Sequence, residues 1–221
     1  MEKQIKSKKR VQDHGEVFTA EREVKAMCDL VKDETERIDS RFLEPACGEG
    51  AFLIEILKRK LETVKQKYRR SSFDWERQSL LALGSLYGVD ILADNAAACR
   101  ENLYAIWEKA YRAACRKDCN EDTRRAARFI LSRNIVCGNA LSLSCVDGEQ
   151  RDTDEPIVFS EWSFPNNDAF IYRKDYTFKE LLEAEEKSSR AGEQIGLSLD
   201  EGEGRFISEY KCHYRRLGEN V

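Results

Sequence analysis

The stretch FLEPACGEGAFLIEIL, residues 42–57, limits the folds open to this chain more than any other. Phe42-Leu43 reads as the end of a short buried strand. Ala51 to Leu57 is an apolar, helix-favouring run followed by basic Lys58, Arg59 and Lys60. Residues 44–50 between them must turn a strand into a helix. Glycine at 48 and 50 removes the Cβ atoms that would keep a ligand away from the backbone at a helix amino terminus, where free N–H groups favour electron-rich ligands. Such a turn at the end of a buried strand belongs to an α/β architecture, so the rest of the chain is read for further strand–helix units.

They recur. Val24, Met27, Cys28, Leu30 and Val31 have the spacing of an amphipathic helix. Phe42-Leu43 is the expected first strand and Ala51 to about Arg70 the first long helix. Ser85 to Asp90 is a second strand ending in an acid. Asp94 and Asn95 are expected to cap a helix running through Ala96 to at least Ala114. Thr123 to Ser132 resumes a helical pattern, Asn134 to Cys137 is a third strand with a loop at Gly138–Leu141, and Ile157-Val158-Phe159 is a candidate fourth. The expectation is a mainly parallel sheet with flanking helices, its ligand-facing loops at 44–50, 90–95 and 138–141, beyond the carboxyl ends of the strands. Residues 1–13 read as a flexible arm, 14–165 as the ligand-binding domain, and 166–221, with acids clustered at Glu180–Glu186 and a Gly/Glu stretch at 200–204, as a polar extension.

Glu44 to Leu53 resembles the Asp-Pro-Ala-Cys-Gly-Ser-Gly-x-Phe-Leu motif of adenine-specific DNA methyltransferases of the restriction-modification type. Gly15-Glu16-Val17-Phe18-Thr19-Ala20 is similar to the Gly-Glu-Val-Phe-Thr-Pro segment preceding that motif, and Tyr87–Ile91 and Gly138–Leu141 look like the next two. These segments, in family order, lie within residues 15–141, about three fifths of the chain. The resemblance implies a Rossmann-like class I methyltransferase fold that binds S-adenosylmethionine. Glu44 would neutralise the cationic methionine end, and the backbone at Ala46, Gly48 and Gly50 would lie against the ligand. Asp90 would accept the ribose hydroxyls, and Ile91 would pack on the adenine. Asn139, with Ala140 beside it, would pair with the adenine amine through its amide oxygen. Glu16 belongs to the same pocket, which Phe18 and Thr19 would close. The family more often has Asp where Glu44 and Asn139 stand.

One part of the pattern is missing. The family follows its fourth strand with a polar residue, Pro-Pro and an aromatic, which hold a flipped adenine. The prolines here are at 45, 156 and 165, so no Pro-Pro occurs. Ser160 and Trp162 are the weak candidates for the polar and aromatic roles, set against an ordinary strand packing on the core. A net charge of −4 also lacks the basic excess of a domain that grips DNA alone. DNA is therefore expected to be reached through a partner subunit supplying specificity or catalysis, the chain being partial as an enzyme. The alternatives are a non-catalytic methyltransferase-like binding subunit and a methyltransferase for another substrate. Basic patches at 3–10, 58–70 and 112–133 read as solvated faces. No metal site is expected: Cys115 and Cys119 have no histidine near in sequence. No apolar run approaches a membrane span, and none follows the basic MEKQIKSKKR as a secretory signal would require. The cysteines, mostly in apolar or helical surroundings, suit reduced thiols in a cytoplasmic protein.

Overall fold

In a computed structural model the described residues are 19–183 and 206–219. The short helices α1 (Glu21–Leu30) and α2 (Lys32–Glu36) lead into β1 (Phe42–Glu44). Then come α3 (Ala51–Tyr68), α4 (Ser72–Gly84), β2 (Leu86–Asp90), α5 (Ala93–Cys115), α6 (Glu121–Asn134) and β3 (Ile135–Asn139). The chain is α/β. Strands β1, β2 and β3 are parallel neighbours, and β4 (Ser144–Val146) and β5 (Asp152–Pro156) continue the same sheet in antiparallel sense. A second, wholly antiparallel sheet holds β6 (Val158–Ser163), β7 (Phe170–Thr177) and β8 (Ser208–His213).

The core forms where α3, α4, α5 and α6 cover the parallel strands, around Leu53, Leu57, Val64, Leu80, Leu83, Leu103, Trp107 and Ile130. Trp75, Trp107 and Tyr111 stack within it, with ring centroids 4.8–6.5 Å apart. Lys60 is also fully buried. Its Nζ lies within hydrogen-bond reach of the carbonyls of Arg37 (3.0 Å), Ile38 (3.1 Å) and Ser40 and of the Ser85 hydroxyl (2.9 Å), four acceptors sharing three N–H groups. It thereby ties the approach to β1 onto α3 and the end of α4.

Several sequence expectations change. Helix α4 was not anticipated; Ser71 caps it by accepting from the Asp74 N–H at 3.1 Å. Asp94 and Asn95 are not caps, because α5 starts one residue earlier at Ala93 and both lie in its first turn. Gly138 and Asn139 belong to β3 rather than to the loop. The fourth strand forms at the expected place but not in the parallel sheet: among the described strands β6 pairs with β7. The described residues beyond 165 join the rest of the fold. β7 pairs with β6 along its length, and Ile171, Tyr176, Phe178, Tyr214 and Leu217 are buried. Residues 1–13 and the Gly/Glu stretch at 200–204 lie outside the described residues. No described helix is long and apolar enough to cross a membrane.

Candidate functional site

The parallel strands bring three loops to one edge. Glu44 pairs with Gly88, and Asp90 with Cys137, so β1, β2 and β3 end together. The first two loops are bonded directly. The Cys47 N–H donates to the Val89 carbonyl at 2.9 Å, and the Gly48 N–H donates to Asp90 Oδ2 at 2.8 Å. The other carboxylate oxygen, Oδ1, accepts from the Leu92 N–H at 2.9 Å and Asn95 Nδ2 at 3.3 Å. Asp90, 8% exposed, thus holds the glycine turn and the first turn of α5 in one arrangement. With three donors in place, its carboxylate keeps acceptor capacity for a further one. The Cys137 thiol reaches the Ile91 carbonyl at 3.6 Å, which brings β3 to the same edge.

The two glycines serve different ends. Gly48 has φ +53°, and a Cβ built there would meet no atom of the described residues within 4 Å, so among these residues that side of the turn is open. Gly50, with φ +93°, is buried; its Cβ would come within 2.7 Å of Cys99 Sγ. Its missing side chain lets α5 pack against the start of α3, and offers no approach to a ligand. The proximity of Cys99 and burial push the Cys47 thiol, which reaches the Gly48 carbonyl at 3.8 Å, far above the ordinary thiol range, so it is a packed neutral thiol rather than a nucleophile.

Against family models, curated proteins and solved structures, the chain has no match.

The other expected site residues divide into three groups. Glu44 is half-buried at the tip of β1, where burial raises its carboxyl pKa and a hydrogen bond from the Ala46 N–H opposes that rise. Ala46 is exposed and Ile91 half-buried on the same edge. Asn139 and Ala140 reach the edge but are engaged elsewhere. Asn139 Oδ1 accepts from the Leu141 N–H at 3.0 Å, and its Nδ2 donates to Asp152 at 2.9 Å. Ala140 packs on the cluster of Tyr87, Val89, Ile157 and Phe159. Thr19 lies just ahead of α1, which places Val24 and Cys28 in the core. Glu16 and Phe18 lie outside the described residues.

Ser160 and Trp162 are at the wrong edge. Strand β6 starts at the carboxyl end of β3, where Ile157 lies against Gly138, and ends at the amino ends of the parallel strands. There Glu161 pairs with Arg41, just ahead of β1, and Trp162 covers Gly84, just ahead of β2. The Ser160 N–H bonds to Asn134, just ahead of β3. The Ser160 hydroxyl donates to Asp175 at 2.6 Å and accepts from Arg133 at 3.2 Å. Trp162 is buried edge-on to Phe129, with centroids 6.1 Å apart. Both candidate residues, Ser160 and Trp162, therefore lie away from the glycine turn. Asn95, read as a cap, instead supports Asp90; its five-residue spacing from that acid was the available signal.

Proposed function

We propose that the chain is the S-adenosylmethionine-binding part of an adenine-specific DNA methyltransferase of the restriction-modification type. In this reading β1–β3 are one half of a Rossmann-like class I methyltransferase sheet. The observation that carries it is the Gly48–Asp90 bond. It joins a glycine turn to an acid at the carboxyl edge of adjacent parallel strands, within segments whose order matches the family resemblance.

The residues present fit the cofactor in character. The open side of Gly48 and the exposed Ala46 leave backbone accessible. Asp90 retains acceptor capacity for one ribose hydroxyl, and Glu44 at the β1 tip offers a carboxylate to the cationic end. Asn139 would contribute to the adenine side only after releasing Leu141 or by accepting a second hydrogen bond. The bound cofactor would supply an electrophilic methyl group. The chain's own residues would bind and orient it, and among the described residues neither Ser160 nor Trp162 stands at this edge to receive a target amine. That favours DNA being engaged through a partner that carries the missing Pro-Pro-aromatic loop.

The same displacement of Ser160 and Trp162 favours, as second reading, a methyltransferase-like binding subunit that uses the cofactor without turnover. A methyltransferase for another substrate would need its acceptor groups elsewhere on this edge. Methyl transfer from labelled cofactor to genomic DNA lacking adenine methylation separates the cases. Silence alone and incorporation with a motif-bearing partner support the divided enzyme. Incorporation by the isolated chain would overturn the partial reading. Cofactor binding by the native chain that survives in Gly48→Val would remove the glycine turn from the site.

A further inference from the structure

The antiparallel sheet carries a second candidate surface. Side chains alternate across a strand, so Phe170, Tyr172 and Lys174 of β7 share a face, opposite the buried Ile171 and Asp175. Register adds His213 opposite Phe170 and Lys211 opposite Tyr172. Rings and cations interleave there. The Lys211 ammonium lies 5.2 Å from the Phe170 ring and 4.8 Å from that of Tyr172. Phe170 and His213 meet edge-on at 6.2 Å. Lys174 lies 5.5 Å from the ring of Phe206, and both Phe170 and Phe206 are 42% exposed. Neither Lys174 nor Lys211 forms an ion pair among the described residues. Two acids lie nearby: Glu209 stands opposite Lys174, and Asp168, whose carboxylate accepts from the Phe170 N–H at 2.9 Å, lies close enough to Lys211 to help hold it charged.

We propose that this face is a stacking platform for single-stranded nucleic acid. Every base has a π face, so exposed rings on a sheet can stack successive bases with little regard for sequence, while neighbouring cations meet the phosphates. Lysine standing between the rings suits that polyanion and is disfavoured in the core of a protein interface. In duplex DNA the base faces are already stacked, so the rings have nothing to receive. The platform lies at the end of β6 that approaches the amino ends of the parallel strands, not at the glycine turn, and it stands apart from the cofactor reading.

Fluorescence anisotropy of a labelled oligothymidylate of about 12 nucleotides, within the usual footprint of such surfaces, tests the proposal on the full chain without cofactor. The native chain should bind the single strand roughly tenfold more tightly than a duplex of equal length. Phe170→Ala and Lys211→Ala should each weaken binding by about tenfold, and Phe170→Trp should retain it. Thermal melts establish that each variant is folded. Equal affinity for single strand and duplex would overturn the proposal, reducing the contact to phosphate attraction. So would unchanged binding by a folded Phe170→Ala. Self-association of the chain that Phe170→Ala abolishes, without oligonucleotide binding, would give the face to a second copy instead.

Discussion

The glycine-turn edge and the antiparallel sheet beside it are held in different ways. At the edge, backbone N–H groups from two loops converge on one carboxylate, Asp90, over a separation of 42 residues. The antiparallel side is fastened by buried charge. Asp175 receives Ser160, Ser208 at 3.0 Å and Arg133 at 3.4 Å. Fully buried Glu76 accepts from the hydroxyls of Tyr111 (2.6 Å) and Tyr214, from Asn120 (2.9 Å) and from Arg215 (2.9 Å). The first arrangement leaves a backbone surface open at Gly48. The second spends its polar groups on one another, binding α4 and α5 to the segment after β8. An edge held by backbone groups can stay available to a ligand; the inner side of the antiparallel sheet, pinned by buried charges, is scaffold, and its outer face is the side left for binding.

The sharpest way to break this contrast is at Glu76. Glu76→Ala strips the acceptor from two buried tyrosines and Arg215, and should cost about 3–5 kcal/mol in denaturant unfolding. A loss below about 1 kcal/mol would show that the carboxylate is not the fastening. The two glycines come next. Gly50→Ala combines positive φ with overpacking against Cys99 and should cost about 2–4 kcal/mol. Gly48→Ala meets no atom of the described residues and should cost only about 1–2 kcal/mol from its left-handed backbone. Equal losses in parallel melts would erase the distinction between packing and ligand-facing glycine.

A further effect, spread over several pH units, concerns Lys60. Burial pushes the Lys60 ammonium down to about 7, against about 10.4 for an exposed lysine. Between those values the unfolded chain binds the extra proton, so Lys60 lets stability rise with pH across that window, by at most about 1.4 kcal/mol per unit. The stability difference between the native chain and Lys60→Met should therefore widen in favour of the native chain from pH 7 to 10. A flat difference would refute the depressed pKa. The smallest effect is expected at Trp162. A folded Trp162→Phe should keep native cofactor affinity, as its place beneath Gly84 requires, and a marked loss would bring β6 back into the site.

What could be read from the sequence was local. Residues 42–57 declared a strand, a turn and a helix because apolar runs and paired glycines act within a few residues, and the acid ending β2 was visible for the same reason. Helix α4 escaped because Glu76, Arg77 and Ser79 look like a solvated face until Tyr111, Tyr214, Asn167 and Trp107 satisfy them from elsewhere in the chain. The fate of β6 escaped because a short apolar run does not state its direction or its neighbour. Asn139 was legible as a residue at the edge, but its bond to Asp152 depends on β5, a strand whose acids and threonine give no apolar alternation.

The central claim is that S-adenosylmethionine binds at the edge built by Gly48 and Asp90. Amide hydrogen exchange on the full chain, followed with and without S-adenosylmethionine, tests it most directly. The account predicts slowed exchange concentrated in residues 45–52 and 90–96, lost in Asp90→Asn. Binding that protects residues 157–178 and leaves the glycine turn unchanged would contradict it.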